Sequence, residues 1–327
     1  MRQLRLGIYS AAHCAVDFSC ALLMLGSVCL RGDAALCILL YNFCAFALQM
    51  PMGLLADRLG RCRLWASGGC LLVLGAFFLP PTAAAVCGGV GNAAFHIGGG
   101  LDTLNSHEKS GALGIFVSPG ALGLFLGGLS ASSLPPVVGV AVCGLSAAAV
   151  LLFCRGPENA APSLHAAAQN GVPAALLCLF LVVVLRSALG LAFQFPWKAS
   201  FALPFTLAVV LGKTCGGLLA DRIGPRRTAI LTLLASAVLF VFSGVPALGL
   251  AAVFLFNTTM PLTLHAASRL LPGAKGFSFG LLTFALFLGF LPDFFGLALP
   301  LPDTALYAAG ALLSLPLLLA GLKKTSC

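Results

Sequence analysis

Charged residues are scarce in this sequence. Only 8% of its 327 residues are Asp, Glu, Lys or Arg, whereas 60% are hydrophobic and the mean hydropathy is +1.06. Soluble domains carry about a quarter charged residues, because these cover the surface in water. A chain with so few must expose most of its surface to lipid instead. The composition therefore excludes a soluble protein and predicts an all-α membrane protein.

Motifs of soluble enzymes and cofactor-binding proteins are also missing. The sequence has no G-x-x-x-x-G-K-[ST] and no H-E-x-x-H, so we expect neither ATP-driven transport nor an enzyme. Its thirteen cysteines include no C-x-x-C pair and none with a histidine at ligand spacing. Buried thiols pack as small hydrophobic side chains, and we expect no cofactor, no metal site and no disulfide framework.

Apolar runs separated by turn residues divide the chain into twelve predicted spans. We place them near 6–30, 34–55, 64–80, 82–104, 110–131, 134–154, 172–195, 199–219, 228–245, 247–269, 276–298 and 303–322. One sizeable polar stretch, 155–171, bisects the chain. We therefore expect an N-terminal six-helix bundle at 1–154, a cytoplasmic linker at 155–171 and a C-terminal six-helix bundle at 172–327.

The lysines and arginines predict the orientation in the membrane. With the N-terminus inside, fourteen of them fall in cytoplasmic segments, and only Arg31 and Lys198 fall outside. Cytoplasmic loops carry the excess of Lys and Arg, so both termini are expected to be cytoplasmic in a multi-pass protein of the cell membrane. The net charge of +9 follows this pattern rather than forming a patch, and we expect no nucleic-acid partner.

The chain contains an internal repeat. The octamer that starts at Gly53, GLLADRLG, returns as GLLADRIG from Gly217, a shift of 164 residues or about half the length. Such a period indicates two six-span bundles from a duplicated ancestor. Transporters are commonly built in this way, with the substrate site near the bilayer midplane between the repeats.

The duplicated octamers resemble the loop motif of the major facilitator superfamily, G-x-L-a-D-r-x-G-r-r, which follows spans two and eight. The resemblance implies the major facilitator fold, with twelve transmembrane helices in two pseudo-symmetric six-helix bundles. It also implies that Asp57 meets the start of span eleven and Asp221 the start of span five, latching the cytoplasmic side shut; a purely topogenic arginine cluster is the alternative. The implied gating residues are Gly53, Asp57, Arg58, Gly60, Arg61, Gly217, Asp221, Arg222, Gly224 and Arg226.

Within that superfamily, the sequence looks most like the fosmidomycin-resistance type of exporter. This finer resemblance rests on His13-x-x-x-Asp17, Phe95-His96, Arg186-Ser187 and Leu271-Pro272-Gly273. The chain departs from the pattern after His96, where Ile97-Gly98-Gly99-Gly100 replaces an early acidic residue. We therefore carry over no substrate.

Ionisable residues within predicted spans are costly, about 2.5–3.5 kcal/mol each on insertion scales, and so mark candidate functional sites. Asp17 falls near the middle of span one, and His13 lies one turn away on the same helical face. His96 falls near the middle of span four. A carboxylate beside imidazole can exchange protons near neutral pH, so these residues are candidates for proton coupling. A structural hydrogen-bonded cluster that fixes helix packing is the alternative.

The second predicted bundle carries two cations within its spans. Arg186 in span seven requires a carboxylate, a cavity or an anionic ligand, because guanidinium does not lose its proton in proteins. It is a candidate substrate residue, with a permanent ion pair to Asp17 as the alternative. Lys213 in span eight either faces the cavity or extends to the interface.

Three further polar residues complete the predicted site. Asp293 in span eleven lies nearer the outer face and is a candidate substrate or proton residue. Gln194 and Asn92 could line the cavity, although each could equally bridge two helices.

These observations predict a secondary transporter that works by alternating access, through proton-coupled export of a small compound that is anionic or amphiphilic. Proton-coupled uptake of a small anionic metabolite, anchored on Arg186, is the main alternative, and a non-transporting membrane sensor is a third. The expected partners are a small-molecule substrate, protons and the lipid bilayer, and we expect a monomer.

Overall fold

The computed structural model describes residues 1–155, 171–297 and 302–323, and these residues form helices and connecting turns without strands. Each of the twelve helices begins and ends within four residues of a predicted span. They are α1 (Arg2–Arg31), α2 (Ala34–Leu59), α3 (Cys62–Ala76), α4 (Pro81–Ser106), α5 (Ser110–Ser130), α6 (Pro136–Phe153), α7 (Val172–Ala192), α8 (Ala202–Ile223), α9 (Pro225–Val241), α10 (Pro246–Leu270), α11 (Lys275–Phe294) and α12 (Asp303–Leu322).

Nine of the twelve described helices are long and apolar enough to cross a membrane. Of the others, α3 and α9 have only 15 and 17 residues, and α4 has Asn92, His96 and Asp102 among its residues. Helix α4 is therefore long enough to cross a membrane but carries these three polar side chains.

Several helices are locally irregular. Helix α1 contains a π-helical turn at Met24–Val28 and α2 another at Phe43–Ala47. Helix α5 is interrupted at Ser118, before Pro119, because a proline removes a backbone donor and bends a helix. Helix α10 is interrupted in the same way at Thr258.

The described residues group into two compact units. Unit 1 contains 1–108, 119–155 and 274–284, and unit 2 contains 109–118, 171–273, 285–297 and 302–323.

Close helix packing inside each unit depends on glycine. In unit 1, for example, a Cβ on Gly98 of α4 would meet the backbone of Cys62 and Ala66 on α3. Small residues of this kind let helix backbones approach in membrane proteins.

Candidate functional site

Unit 1 brings together the three residues that the sequence singled out for proton coupling. The Asp17 carboxylate lies 3.3 Å from His13 Nε2 and 3.9 Å from His96 Nε2. The two histidine Nε2 atoms are 2.7 Å apart. The side chains are only 5–11% exposed. We call these residues, together with Asn92, the His–Asp cluster.

Asn92 organises the cluster from two sides. Its side-chain Nδ2 donates to Asp17 Oδ1 at 2.8 Å, and its backbone carbonyl lies 2.9 Å from His96 Nδ1. A carbonyl oxygen can only accept, so His96 Nδ1 must carry the hydrogen. When His96 is neutral, its Nε2 is therefore an acceptor. Asn92 thus both orients the carboxylate and selects the tautomer of His96.

The contact between the two histidines accommodates a single proton. Because His96 Nε2 accepts in the neutral ring, His13 Nε2 must donate across the 2.7 Å gap. A second hydrogen in the gap would place two N–H groups against each other, which a distance of 2.7 Å does not allow. The distance between the two histidine rings therefore depends on how many hydrogens lie between their Nε2 atoms, and Asp17 lies beside both rings.

The same atoms could in principle hold a metal ion, since ligand atoms of His13, Asp17 and His96 all lie within 4.8 Å of one another. Two nitrogens bound tetrahedrally to one zinc at about 2.0–2.1 Å would be roughly 3.3 Å apart. The observed Nε2–Nε2 distance of 2.7 Å is that of a hydrogen bond. The described geometry suits a shared proton.

Gly120 of α5 allows a neighbouring helix to reach the cluster. A Cβ at this position would collide with His13 Nε2 and Asp17 Oδ2, and one at Gly123 with the backbone of Cys14. Gly120 and Gly123 of α5 therefore pack against α1. Gly120 thus places no side chain between the α5 backbone and the cluster.

We expect Gly120→Ala to destabilise the protein by about 1–3 kcal/mol, because overpacking forces side chains off their rotamers. Gly128→Ala on the same helix is the matched control, since its Cβ would lie 3.5 Å from Leu25 in ordinary contact. Denaturant unfolding in detergent micelles measures both variants. Equal stability of the two variants would contradict the close packing of α5 on the cluster.

The first gating motif places a carboxylate against the start of another helix. Asp57, only 7% exposed near the end of α2, accepts hydrogen bonds at 2.8 Å from the backbone N–H groups of both Gly276 and Phe277 in α11. These N–H groups have no partner within their own helix, and the N-terminus carries partial positive charge. Asp57 therefore caps α11. Arg58 and Arg61 are exposed, and Gly60 ends α2 with φ at 65°.

The second motif repeats this arrangement in unit 2. Asp221 accepts from the backbone N–H of Ser110 at 2.9 Å and of Gly111 at 2.8 Å, and from Ser110 Oγ at 2.7 Å, at the start of α5. Asp221 is exposed, unlike Asp57. Arg222 and Arg226 are also exposed, and Gly224 has φ at 89°. We call the two capping contacts the Asp57 latch and the Asp221 latch; their gating role stays a prediction.

The first glycine of each motif has a clear structural reason. A Cβ on Gly53 would collide with the Gly276 carbonyl, and a Cβ on Gly217 would lie 2.5 Å from the Ser110 carbonyl. Each glycine thus lets the backbone of α2 or α8 approach the helix that its aspartate caps. The spacing of four residues puts glycine and aspartate on one helical face.

Arg186 is the most isolated charge among the predicted site residues. It is 7% exposed in the middle of α7, and its Nη1 has no hydrogen-bond partner. Among the described residues, no carboxylate forms an ion pair with it. The ion pair with Asp17, a residue of unit 1, stays an open alternative. Lys213 is half-buried in α8.

Two other predicted site residues are exposed to solvent or lipid rather than buried. Gln194 falls beyond the end of α7, exposed, and its backbone N–H donates to the Tyr307 hydroxyl at 2.8 Å. Asp293 is also exposed. In the loop after α7, burial lowers the pKa of Lys198, and the charge of Asp293 opposes this shift. The span that was predicted to end at residue 195 is shorter, because the chain turns at Phe193.

One buried ion pair was not predicted from the sequence. Arg5 Nε lies 3.7 Å from the Asp102 carboxylate, and Arg5 also donates to Ser106 Oγ at 2.6 Å and to the Arg155 carbonyl at 3.2 Å. Asp102 itself is only 8% exposed. Arg5 thus ties the start of α1 to the end of α4. The sequence offers no local signal for this pairing, because the partners are about a hundred residues apart.

Comparison with known proteins establishes the fold. No model of a protein family matches the sequence, and no curated protein matches it. Three solved transporter structures do share the fold, two of them of the protein FucP. The fucose:proton symporter of E. coli matches with 14% identity over 100% of this chain and 98% of that chain, with a TM-score of 0.71. A structure of the major facilitator superfamily transporter FucP in the outward conformation matches with 16% identity, the same coverage and a TM-score of 0.74.

The human organic anion transporter TETRAN matches with 15% identity over 98% of this chain and 99% of that chain, with a TM-score of 0.65. Identities this low show the fold alone. The chain therefore has the all-α major facilitator fold, as the duplicated motif predicted.

Proposed function

We propose that the chain is a proton-coupled secondary transporter of the major facilitator superfamily, related to the fosmidomycin-resistance exporters, and that it exports a small compound. The observation that carries this proposal is the His–Asp cluster. It combines a carboxylate and two imidazoles, all buried within helices of a membrane protein. Ionisable groups in such a position commonly form proton relays.

The chemistry of the cluster suits reversible proton binding. Asp17 and the His13–His96 pair offer acceptor atoms within 4 Å of one another, so a proton gained at one changes the charge felt by the others. Since only one hydrogen fits between the two Nε2 atoms in the present geometry, protonating both of these atoms would separate the histidines. Proton binding is thereby linked to the packing of α1 on α4.

We propose that transport proceeds by alternating access, in which the two bundles open the site to one side of the membrane at a time. We propose two six-helix bundles, 1–154 and 172–327, joined through 155–171, of which 156–170 lie outside the described residues. The Asp57 and Asp221 latches would hold the cytoplasmic side closed and release when it opens. We propose a monomer in the cell membrane, and the charge distribution supports placing both termini in the cytoplasm.

Transport assays test this function directly. A thermal-shift screen of candidate compounds on the purified protein identifies ligands, and cells with and without the gene are then compared for accumulation of each ligand. Export predicts lower accumulation in cells that contain the protein. In proteoliposomes, an imposed pH gradient should drive transport against the substrate gradient. Transport that is indifferent to the pH gradient would contradict proton coupling.

Uptake of a small anionic metabolite is the second candidate, and the unpartnered Arg186 favours it. A guanidinium matches carboxylate and phosphate geometry with two parallel hydrogen bonds. A buried cation without a counter-ion is expensive, so an anionic ligand at Arg186 would relieve that cost. Higher accumulation in cells that contain the protein would favour uptake. A membrane sensor remains only if no screened ligand is transported in either direction.

The role of Arg186 leads to a separate prediction. An anionic ligand at about 100-fold its Kd should stabilise the native protein by about 2.7 kcal/mol. Arg186→Gln should abolish this stabilisation, and Arg186→Lys should retain part of it because a single charge remains. Arg31→Gln, which removes an exposed arginine bonded to Ser27, is the control. If anions stabilise Arg186→Gln as strongly as the wild type, Arg186 is not the anchor.

A further inference from the structure

The surface of unit 1 contains a groove between α2, α3 and α4 whose apolar lining has no part in the proposed transport mechanism. Its volume is about 900 Å³, and Leu64, Trp65, Leu72 and Val90 are among its apolar lining residues. Arg58 and Arg61 line it as well, in the turn between α2 and α3. The groove is thus basic at the end formed by this turn and apolar along the helices. We call it the α2–α4 groove.

The positive charge at the end of the groove is uncompensated. Arg58 and Arg61 are exposed, and among the described residues neither forms an ion pair. The carboxylate in the same turn, Asp57, is occupied by the N–H groups of Gly276 and Phe277. No acidic residue lines the groove. Two guanidinium groups therefore remain available to an anion.

The backbone at Arg61 is an independent sign of function. Its φ of 58° makes it the one non-glycine residue with positive φ among those described. Side chains other than Asn, Asp and Gly rarely adopt this conformation, and strained residues cluster at binding sites. Glycine would be the unstrained choice here, yet the chain has a long cationic side chain.

The apolar part of the groove fits one acyl chain. From Arg61 to Leu72, α3 rises about 16 Å at 1.5 Å per residue. Half of a hydrocarbon core of about 30 Å is roughly 15 Å, the depth of one leaflet. Gly68 lies within this stretch and lines the groove, and a Cβ there would meet nothing within 4 Å. The missing side chain leaves room along the helix.

We propose that the α2–α4 groove binds one anionic phospholipid, with its phosphate on Arg58 and Arg61 and one acyl chain along Leu64, Trp65 and Leu72. The charge pattern predicts this end of the groove to be cytoplasmic, and the cytoplasmic leaflet is the one rich in anionic lipid. The proposal does not depend on the transported substrate or on proton coupling.

Native mass spectrometry tests the proposal on the full chain. The protein is reconstituted with equal amounts of dioleoyl phosphatidylglycerol and dioleoyl phosphatidylcholine, re-extracted, and its retained lipids are counted. The wild type should retain phosphatidylglycerol preferentially, by about fivefold for each arginine that contacts the headgroup. Gly68→Leu should reduce retention of phosphatidylglycerol because it fills the groove. Gly75→Leu is the matched control on the same helix, since a Cβ there also meets nothing within 4 Å and Gly75 does not line the groove.

The arginines are tested separately from the acyl-chain path. Arg61→Gly removes the charge and relieves the positive φ, so the variant should fold at least as well as the wild type while its preference for phosphatidylglycerol falls about fivefold. Arg58→Gln should have a similar effect. Unchanged lipid preference in both variants, or unchanged retention in Gly68→Leu, would overturn the proposal. So would inorganic phosphate raising the thermal stability as much as phosphatidylglycerol does, since the site would then bind the free anion.

Discussion

Asp17→Asn is expected to abolish proton-driven accumulation of the substrate while leaving substrate exchange intact. One proton per substrate moving down a gradient of one pH unit supports about tenfold accumulation. The amide of the variant cannot bind or release a proton. The substrate concentrations on the two sides of the membrane should therefore only become equal, a ratio of about one. The side-chain oxygen of the amide can still accept from Asn92, which preserves the packing of α1 on α4. Uptake into proteoliposomes with and without a pH gradient measures both quantities.

Asp102→Asn is the control for that experiment. Asp102 is likewise a buried carboxylate of unit 1, but it pairs with Arg5 rather than with the histidines. The Asp102→Asn variant should still accumulate substrate in response to the pH gradient, even if it unfolds at a lower temperature than the wild type. If Asp17→Asn still accumulates substrate tenfold, or if both variants lose coupling equally, the cluster is not the coupling site.

Asp57→Asn should release the start of α11. In the aspartate, Oδ1 and Oδ2 each accept one backbone N–H, from Gly276 and Phe277 respectively. In the asparagine, one of these oxygens becomes an NH₂ group that faces an N–H donor. Hydrogen bonds to charged groups contribute about 1.5–3 kcal/mol each, so opening of the latch should increase about 10- to 100-fold. Hydrogen exchange of the first turn of α11 measures this increase.

The two latches should respond unequally. Asp221 is exposed whereas Asp57 is buried, and solvent screens exposed charges, so Asp221→Asn should accelerate exchange at the start of α5 by a smaller factor. Asp33→Asn is the control. Asp33 caps its own helix by accepting from Leu36 N–H at 3.0 Å, and asparagine caps equally well there. Unchanged exchange in Asp57→Asn would show that the aspartate does not hold α11.

Local patterns in the sequence predicted most of the fold. Each span was long, apolar and bounded by turn residues, so its ends could be located within four residues. The π-helical turns at Met24–Val28 and Phe43–Ala47 could not be predicted, because an inserted residue leaves composition unchanged and shifts the apolar pattern only slightly. The early end of α7 was missed because the loop that follows is as apolar as the helix, with Phe193, Phe195 and Trp197 packed in aromatic contacts.

The candidate site was predictable where neighbours in space were also neighbours along a helix. The spacing of four residues brought His13 and Asp17 together on one face. His96 lies beside them only because α1 packs on α4. The sequence indicated that Asp17 and His96 are each near the middle of a span, but not that their helices are in contact. The double role of Asn92 and the exclusion of side chains at Gly120 depend on atomic distances between helices. Nothing local to any one helix encodes them.

The pH dependence of ligand binding to the purified protein tests the proton-coupling role of the His–Asp cluster most directly. If ligand binding and proton exchange are linked at this cluster, the Kd of a ligand from the thermal-shift screen should change about tenfold per pH unit between the relevant pKa values. The Kd of Asp17→Asn should be nearly independent of pH over the same range. A wild-type Kd without pH dependence, or an Asp17→Asn variant that keeps the wild-type slope, would contradict the account.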